Sequence, residues 1–159
     1  MRTAFGCEFD VPDGYLNTAS VGVPPAPVAD AVAAAVHGWR SGRDRPPDFD
    51  EPTARARRAF ADLVGVPPSW VAIGGAVSAM VGLLAASVQD GTRVLVATGE
   101  FTSVTWPAAA QAGRGVTLAQ AELADLGERA GDYDVVAVSV VQSADGRLVD
   151  LDALRAARS

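Results

Sequence analysis

Apolar residues in the second half of the chain alternate between strand-like runs and helix-like stripes. Strands are predicted over residues 70–73, 93–97, 116–119 and 133–141, and helices over 76–88, 102–112, 122–129 and 150–157. The run from Val135 to Val141 is almost continuously apolar, which is typical of a strand buried on both faces of a parallel sheet. The pattern therefore predicts an α/β fold, an αβα sandwich with a mainly parallel sheet.

The first half of the chain has helical periodicity instead. Pro24, Pro25 and Pro27 open a predicted helix whose apolar stripe runs from Val28 to Trp39. A second helix is predicted to start near Glu51-Pro52, to bury Phe60 and Leu63, and to stop near Gly65. The residues before the first helix carry turn signals. We therefore predict an irregular N-terminal segment over 1–23 and a domain over 24–159.

Three loops follow predicted strands, at 74–78, 98–103 and 142–146. Because parallel strands end at one edge of the sheet, where open α/β folds bind ligands, we expect these loops to lie together. In the first loop, Ala76, Val77 and Ser78 open a helix, and its free N–H groups favour a phosphate. In the third loop, Gln142 and Ser143 are candidates for hydrogen bonds to a ligand.

Each loop also has a purely structural interpretation. The glycine turn before Ala76 can be a tight turn with a helix cap, since it matches neither nucleotide-binding glycine fingerprint. Phe101, in the second loop, can stack on a planar ligand ring or pack in the core. The pair Asp145-Gly146 makes 142–146 an ordinary turn as well.

Composition excludes several classes of protein. The chain of 159 residues suits one domain, and its net charge of −6 argues against nucleic acid as the main partner. No run reaches the roughly 18 apolar residues of a membrane span, and residues 1–20 lack the basic start and apolar block typical of a secretory signal. We therefore expect a cytoplasmic protein without a membrane partner. A single cysteine and a single histidine, Cys7 and His37, support neither a metal site nor a catalytic dyad.

The segments YLNTASVG (15–22), GGAVSAM (74–80), EFTSVTWP (100–107) and VQSADGRLVDLDAL (141–154) together resemble the class V aminotransferase family. These are pyridoxal-phosphate enzymes of fold type I, among them cysteine desulfurases, kynureninases and isopenicillin-N-epimerase-like proteins. The resemblance spans nearly the whole chain in the family's order and spacing. It implies that this chain corresponds to the first part of the large cofactor domain.

The resemblance also implies roles for individual residues. Ala76 and Val77, with Ser78, match the turn whose backbone holds the cofactor phosphate, and Phe101 matches the residue that stacks on the pyridine ring. Ser143 stands where the family usually has an asparagine near the ring hydroxyl, with Gln142 beside it. Asn17, Thr18 and Ala19 match a segment near the carboxylate of an amino-acid-like substrate.

Lysine is missing from the chain, because all 13 basic residues are arginines. A Schiff base with pyridoxal phosphate needs a primary amine, so no catalytic residue is predicted within the chain itself. The leading hypothesis is therefore a pyridoxal-phosphate enzyme present as a fragment or split half, acting as a homodimer or with a C-terminal complementing chain. The alternatives are a catalytically silent cofactor-binding or structural subunit and, in third place, an unrelated nucleotide-binding domain.

Overall fold

The computed structural model describes residues 2–18 and 20–157, and the chain divides into two compact units between Ile73 and Gly74. The predicted boundary between residues 23 and 24 stays a prediction. The first unit is mainly helical, and the second contains a parallel sheet.

A short β-hairpin opens the first unit, within the segment predicted to be irregular. Strands β1 (Arg2–Ala4) and β2 (Cys7–Phe9) pair antiparallel, with Thr3 opposite Glu8. Phe5 and Gly6 at the turn have φ angles of 52° and 73°. Positive φ at both central residues matches the twist of a two-residue hairpin. Strands of three residues are too short for alternation to reveal them in the sequence.

Two helices follow, at the predicted positions. Helix α1 spans Ala26–Arg40 after Pro25, and helix α2 spans Asp50–Val64. Gly65 terminates α2 in the left-handed region at φ 72°, a conformation that favours glycine because it lacks a Cβ. The proline starts and the glycine stop predicted from the sequence are confirmed.

The buried face predicted for α2 is wrong, and the apolar stripe of α1 is exposed as well. Val32 and Trp39 on α1 are 59% and 77% exposed, and Phe60 and Leu63 on α2 are exposed as well. Instead, α2 is in contact with the 3₁₀ turns at Pro46–Phe49 and Pro68–Trp70, and it buries Ala61. Periodicity identified a helix correctly, but it could not say which face the neighbouring turns cover.

The second unit is an α/β domain with a three-stranded parallel sheet. In chain order it contains α3 (Val77–Ser87), β3 (Arg93–Ala97), α4 (Thr102–Ala109), β4 (Thr117–Ala121), α5 (Leu126–Arg129), β5 (Val135–Ala137) and α6 (Leu151–Ala157). The strand order is β4-β3-β5, and both pairings are parallel. The central residue Leu95 lies opposite Ala119 on one side and Val136 on the other.

One of the four predicted strands does not form in the described part of the chain. Residues 70–73 are rich in apolar side chains, but Pro67 and Pro68 start a 3₁₀ turn over Pro68–Trp70, and no strand follows it. The predicted strand 133–141 shortens to β5, because β5 pairs only with β3 over three residues. The α/β class with a parallel sheet is confirmed, with a smaller sheet than predicted.

The core lies on both faces of this sheet. Leu95 and Ala97 pack with Leu126 on the face covered by α5 and α6, whereas Val94 and Val96 pack with Ala108 of α4 on the opposite face. Strand β3 is thus buried on both sides, as its continuous apolar sequence predicts.

The positions of the helix starts indicate at which edge of the sheet a ligand site can form. Strands β3, β4 and β5 run parallel, α4 follows the end of β3, and the start of α3 lies beside the start of α4. The first turns of α3 and α4 therefore lie at the carboxyl edge of the sheet. This is the edge at which open α/β folds place their ligands.

Candidate functional site

A buried carboxylate joins two of the three predicted loops at the carboxyl edge of the sheet. Glu100, three residues beyond β3, is only 8% exposed. Its Oε1 accepts hydrogen bonds from the Phe101 N–H at 2.8 Å and from the Ser139 hydroxyl at 2.6 Å. Its Oε2 accepts from the Ser139 N–H at 2.8 Å and from Gln142 Nε2 at 3.2 Å. Both oxygens are thus fully used, and all four donors are neutral.

These hydrogen bonds decide the charge of Glu100. Burial raises the pKa of the carboxyl, but the hydrogen bonds from Ser139, Phe101 and Gln142 outweigh it, and the net pKa lies below the ordinary value of 4.5. Glu100 is therefore ionised at neutral pH, and its negative charge is stabilised by oriented dipoles.

The lowered pKa predicts an acid-sensitive contribution to stability. A carboxyl with a depressed folded-state pKa stabilises the fold above its unfolded pKa and loses that contribution as pH falls through the folded pKa. We expect the difference in free energy of unfolding between wild type and Glu100→Gln to be largest near pH 7 and to shrink below about pH 4.5. Urea denaturation of both proteins across pH 3–7 measures it. A difference that is constant over this range contradicts the assignment.

Gln142 is held inside the protein rather than presented to a ligand. It is 5% exposed, and its Nε2 donates to the Ser139 carbonyl at 3.0 Å as well as to Glu100. Its backbone N–H donates to the Arg147 carbonyl at 2.8 Å, which closes the loop after β5 as a tight turn. Ser143, next along this turn, is exposed. Of the two predicted residues, Ser143 is therefore the accessible one.

The starts of α3 and α4 border one open depression of about 480 Å³. Ser78 lines it from α3, and Thr102, Ser103 and Trp106 line it from α4. Neither helix has a side-chain cap at its first turn, and within residues 2–18 and 20–157 the three hydroxyls have no hydrogen-bond partner. Two partly positive helix ends and three free hydroxyl groups thus face the same space.

The small residues of the glycine turn have a packing reason. The Met80 side chain lies so close to Gly74 that a Cβ at Gly74 would clash with its sulfur. Ala76 follows in extended conformation, and the Met80 N–H donates to the Ala76 carbonyl at 3.2 Å to begin the helix. Val77 and Ser78 are exposed. The turn therefore leaves the first N–H groups of α3 open to solvent.

Phe101 lies between the buried Glu100 carboxylate and the first turn of α4. It is the N-cap residue of α4, and its side chain is 56% exposed rather than part of the core. Its N–H is bound by Glu100, and its carbonyl accepts from the Val104 N–H at 2.9 Å. The backbone of Phe101 is thus fixed while its ring remains available for contact.

The predicted substrate segment belongs to the first unit. Asn17 is exposed, its carbonyl accepts the Val21 N–H at 3.1 Å, and Thr18 is exposed as well. Ala19 lies outside the described residues. The structure places Ser78 beside the start of α4 and joins the Phe101 backbone to Gln142 through Glu100. The cofactor roles of these residues and the substrate roles of Asn17 and Ala19 stay predictions.

Sequence reasoning missed the two central members of the buried cluster. Glu100 belongs to a predicted loop, where a single acidic residue is typical of a solvent-exposed position. Ser139 lies inside a predicted strand, and nothing in its spacing marks it. The only available signal was the place of Glu100, directly after an entirely apolar strand.

In the described ranges, no group of three or more His, Cys, Asp or Glu side chains is arranged to hold a metal ion. Among the same residues, no helix has the length and apolar character needed to cross a bilayer.

Comparison of the chain with protein-family models, with curated proteins and with solved structures finds no match. The site must therefore be interpreted from its own geometry.

Proposed function

We propose that the second unit binds the phosphate and ring of pyridoxal 5'-phosphate, and that the chain is the N-terminal part of a class V aminotransferase-like enzyme of fold type I. One observation carries the proposal: the uncapped starts of α3 and α4 share a depression with three unpartnered hydroxyl groups. This arrangement suits an anion with several oxygen acceptors, such as a phosphate ester.

The residues at the phosphate end fit the group. Ser78, Thr102 and Ser103 line the depression with hydroxyl donors. Val77 and Ser78 are the first two residues of α3, so their backbone N–H groups have no partner within the helix. None of the described residues that line the depression is acidic. The nearest acid in sequence, Glu100, already has both oxygens engaged by donors.

The residues at the ring end fit less completely. The exposed ring of Phe101 can stack on a pyridine ring, and an offset stack contributes about 0.5–1.5 kcal/mol beyond area burial. Ser143 is exposed and, as the resemblance implies, would offer its hydroxyl to the ring hydroxyl. Gln142 supports Glu100 instead of the ligand. When bound, pyridoxal phosphate supplies an electron sink for reactions at the α-carbon of an amino acid.

The covalent anchor must come from other polypeptide. These 159 residues contain no lysine, and a second copy of the same chain cannot provide one either. A homodimer of this chain alone is therefore insufficient for Schiff-base chemistry. We propose that a C-terminal complementing segment or chain carries the lysine, in a cytoplasmic enzyme acting on an amino acid or amine.

The test uses substitutions that leave the helices intact. Val77→Pro removes one N–H that would face the phosphate, and proline is tolerated at the first position of a helix after an extended residue such as Ala76. Phe101→Ala removes the ring. Each is expected to raise the dissociation constant for a non-covalent cofactor analogue, 4-deoxypyridoxine 5'-phosphate, by about tenfold. Titration calorimetry measures this constant.

Matched controls separate binding from folding. Val77→Ala keeps the N–H and Phe101→Tyr keeps an aromatic ring, so both should bind like wild type. If Val77→Pro and Phe101→Ala bind as tightly as their controls while remaining folded, the 74–80 turn is only a helix start.

A second function uses the same site. The absence of lysine also fits a catalytically silent subunit that binds the cofactor or another phosphate ester without reacting. Adding a lysine-bearing complement distinguishes the two: turnover of an amino acid supports the enzyme, and unchanged binding without turnover supports the silent subunit.

A further inference from the structure

The Glu100 carboxylate holds the turn between β3 and α4 against the loop after β5. It accepts from Phe101 on its own turn and from Ser139 and Gln142 across the edge. No other side chain links these two loops by a hydrogen bond in the part of the chain that the structure describes. Beyond the pairing of β3 with β5, the side-chain hydrogen bonds between these loops therefore all involve this one group.

The Glu100 carboxylate has no acceptor site left with which to bind a ligand. An ionised carboxylate has about four acceptor sites, and all four are occupied by donors between 2.6 and 3.2 Å away. With 8% of the residue exposed, little of it is open to solvent. What Glu100 controls is instead the backbone of Phe101, the residue that starts α4 and exposes its ring.

We propose that Glu100 is a positioning residue: by binding the Phe101 N–H and the Ser139 backbone and hydroxyl together, it fixes the Phe101 ring and the first turn of α4 for ligand binding. This role rests on the proposed function for its ligand. The geometry at Phe101 can be tested without any ligand.

Glu100→Gln is the informative variant. It keeps the size of the side chain, but one carboxylate oxygen becomes an NH₂. Whichever oxygen is replaced, the NH₂ faces one backbone N–H, that of Phe101 or that of Ser139, which loses its acceptor. Ser139→Ala removes only the hydroxyl bond at 2.6 Å and keeps the carboxylate. It is the milder variant, and it keeps the test decisive if Glu100→Gln does not fold.

Fluorine NMR on protein labelled with 4-fluorophenylalanine provides the ligand-free readout. The chain has five phenylalanines, and the other four, Phe5, Phe9, Phe49 and Phe60, belong to the first unit and serve as internal references. We expect the Phe101 resonance to shift or broaden in Glu100→Gln, and less so in Ser139→Ala, while the four references stay in place. If Glu100 has a purely structural role, Glu100→Gln lowers the melting temperature but leaves the Phe101 resonance of the folded protein unchanged.

The second readout is the dissociation constant for 4-deoxypyridoxine 5'-phosphate, which we expect to rise by about tenfold in Glu100→Gln. A Phe101 resonance and an affinity that both equal the wild-type values overturn the proposal, and so does a moved resonance with unchanged affinity. A wild-type chain that binds no analogue refutes the proposed function instead, and the fluorine signal alone then decides whether Glu100 positions Phe101.

Discussion

Borohydride treatment of this chain in the presence of pyridoxal phosphate is expected to leave every side chain unmodified. Reduction traps an imine only where a primary amine has formed one, and the chain has no lysine side chain. The sole amine that can react is the N-terminal one, at Met1. Peptide mass mapping separates an adduct on the first peptide from adducts elsewhere, and an adduct on any side chain contradicts the prediction.

The same treatment has a positive counterpart. When a complementing polypeptide with the required lysine is present, we expect a reduced adduct on that lysine and on no residue of this chain. A variant of the complement with arginine in place of the lysine is the matched control, because it keeps the positive charge but cannot form the imine. We expect the reduced adduct with the lysine-bearing complement and no adduct with the arginine variant.

Leu95→Ala is expected to lower the free energy of unfolding of the second unit by about 2–5 kcal/mol, the range measured for fully buried leucines. Leu95 is 0% exposed at the centre of β3 and packs with Leu126 and Ala97. Removing its side chain leaves a cavity on the face covered by α5 and α6. The remaining neighbours are held by the sheet and can close the cavity only partly.

Leu83→Ala is the control for this prediction. Leu83, on α3, is 70% exposed, so its loss should cost less than about 0.5 kcal/mol. Trp106 is the only tryptophan of the second unit. Urea denaturation followed by its fluorescence, with Trp39 and Trp70 replaced by phenylalanine, reports on this unit. Equal losses in the two variants contradict the described core.

The elements of the fold follow from sequence where local and tertiary preferences agree. Strand β3 is apolar throughout and is buried on both faces, and α2 starts and stops at proline and glycine signals. The prediction fails over 70–73, because two prolines favour a 3₁₀ turn over an apolar strand. The buried face predicted for α2 was wrong because the face of a helix that is covered depends on its neighbours.

The site was predictable in outline only. The loops of Phe101 and Gln142 each follow a predicted strand, and parallel strands end at one edge of the sheet. The sequence therefore correctly predicted that these two loops lie together. The same reasoning could not distinguish a ligand contact from internal support: Gln142 turned out buried and bonded to Glu100. Such pairing across 42 positions is set by tertiary packing, which no local pattern encodes.

The central claim is tested most directly by backbone amide NMR of the ¹⁵N-labelled chain titrated with 4-deoxypyridoxine 5'-phosphate. We predict that the largest shifts fall on Val77 and Ser78 at the start of α3 and on Thr102 and Ser103 at the start of α4, and that they saturate together. The arginine-rich stretch between Arg40 and Arg58 serves as the internal control for non-specific phosphate binding. Saturable shifts in that stretch, with none at the two helix starts, would contradict the proposed site.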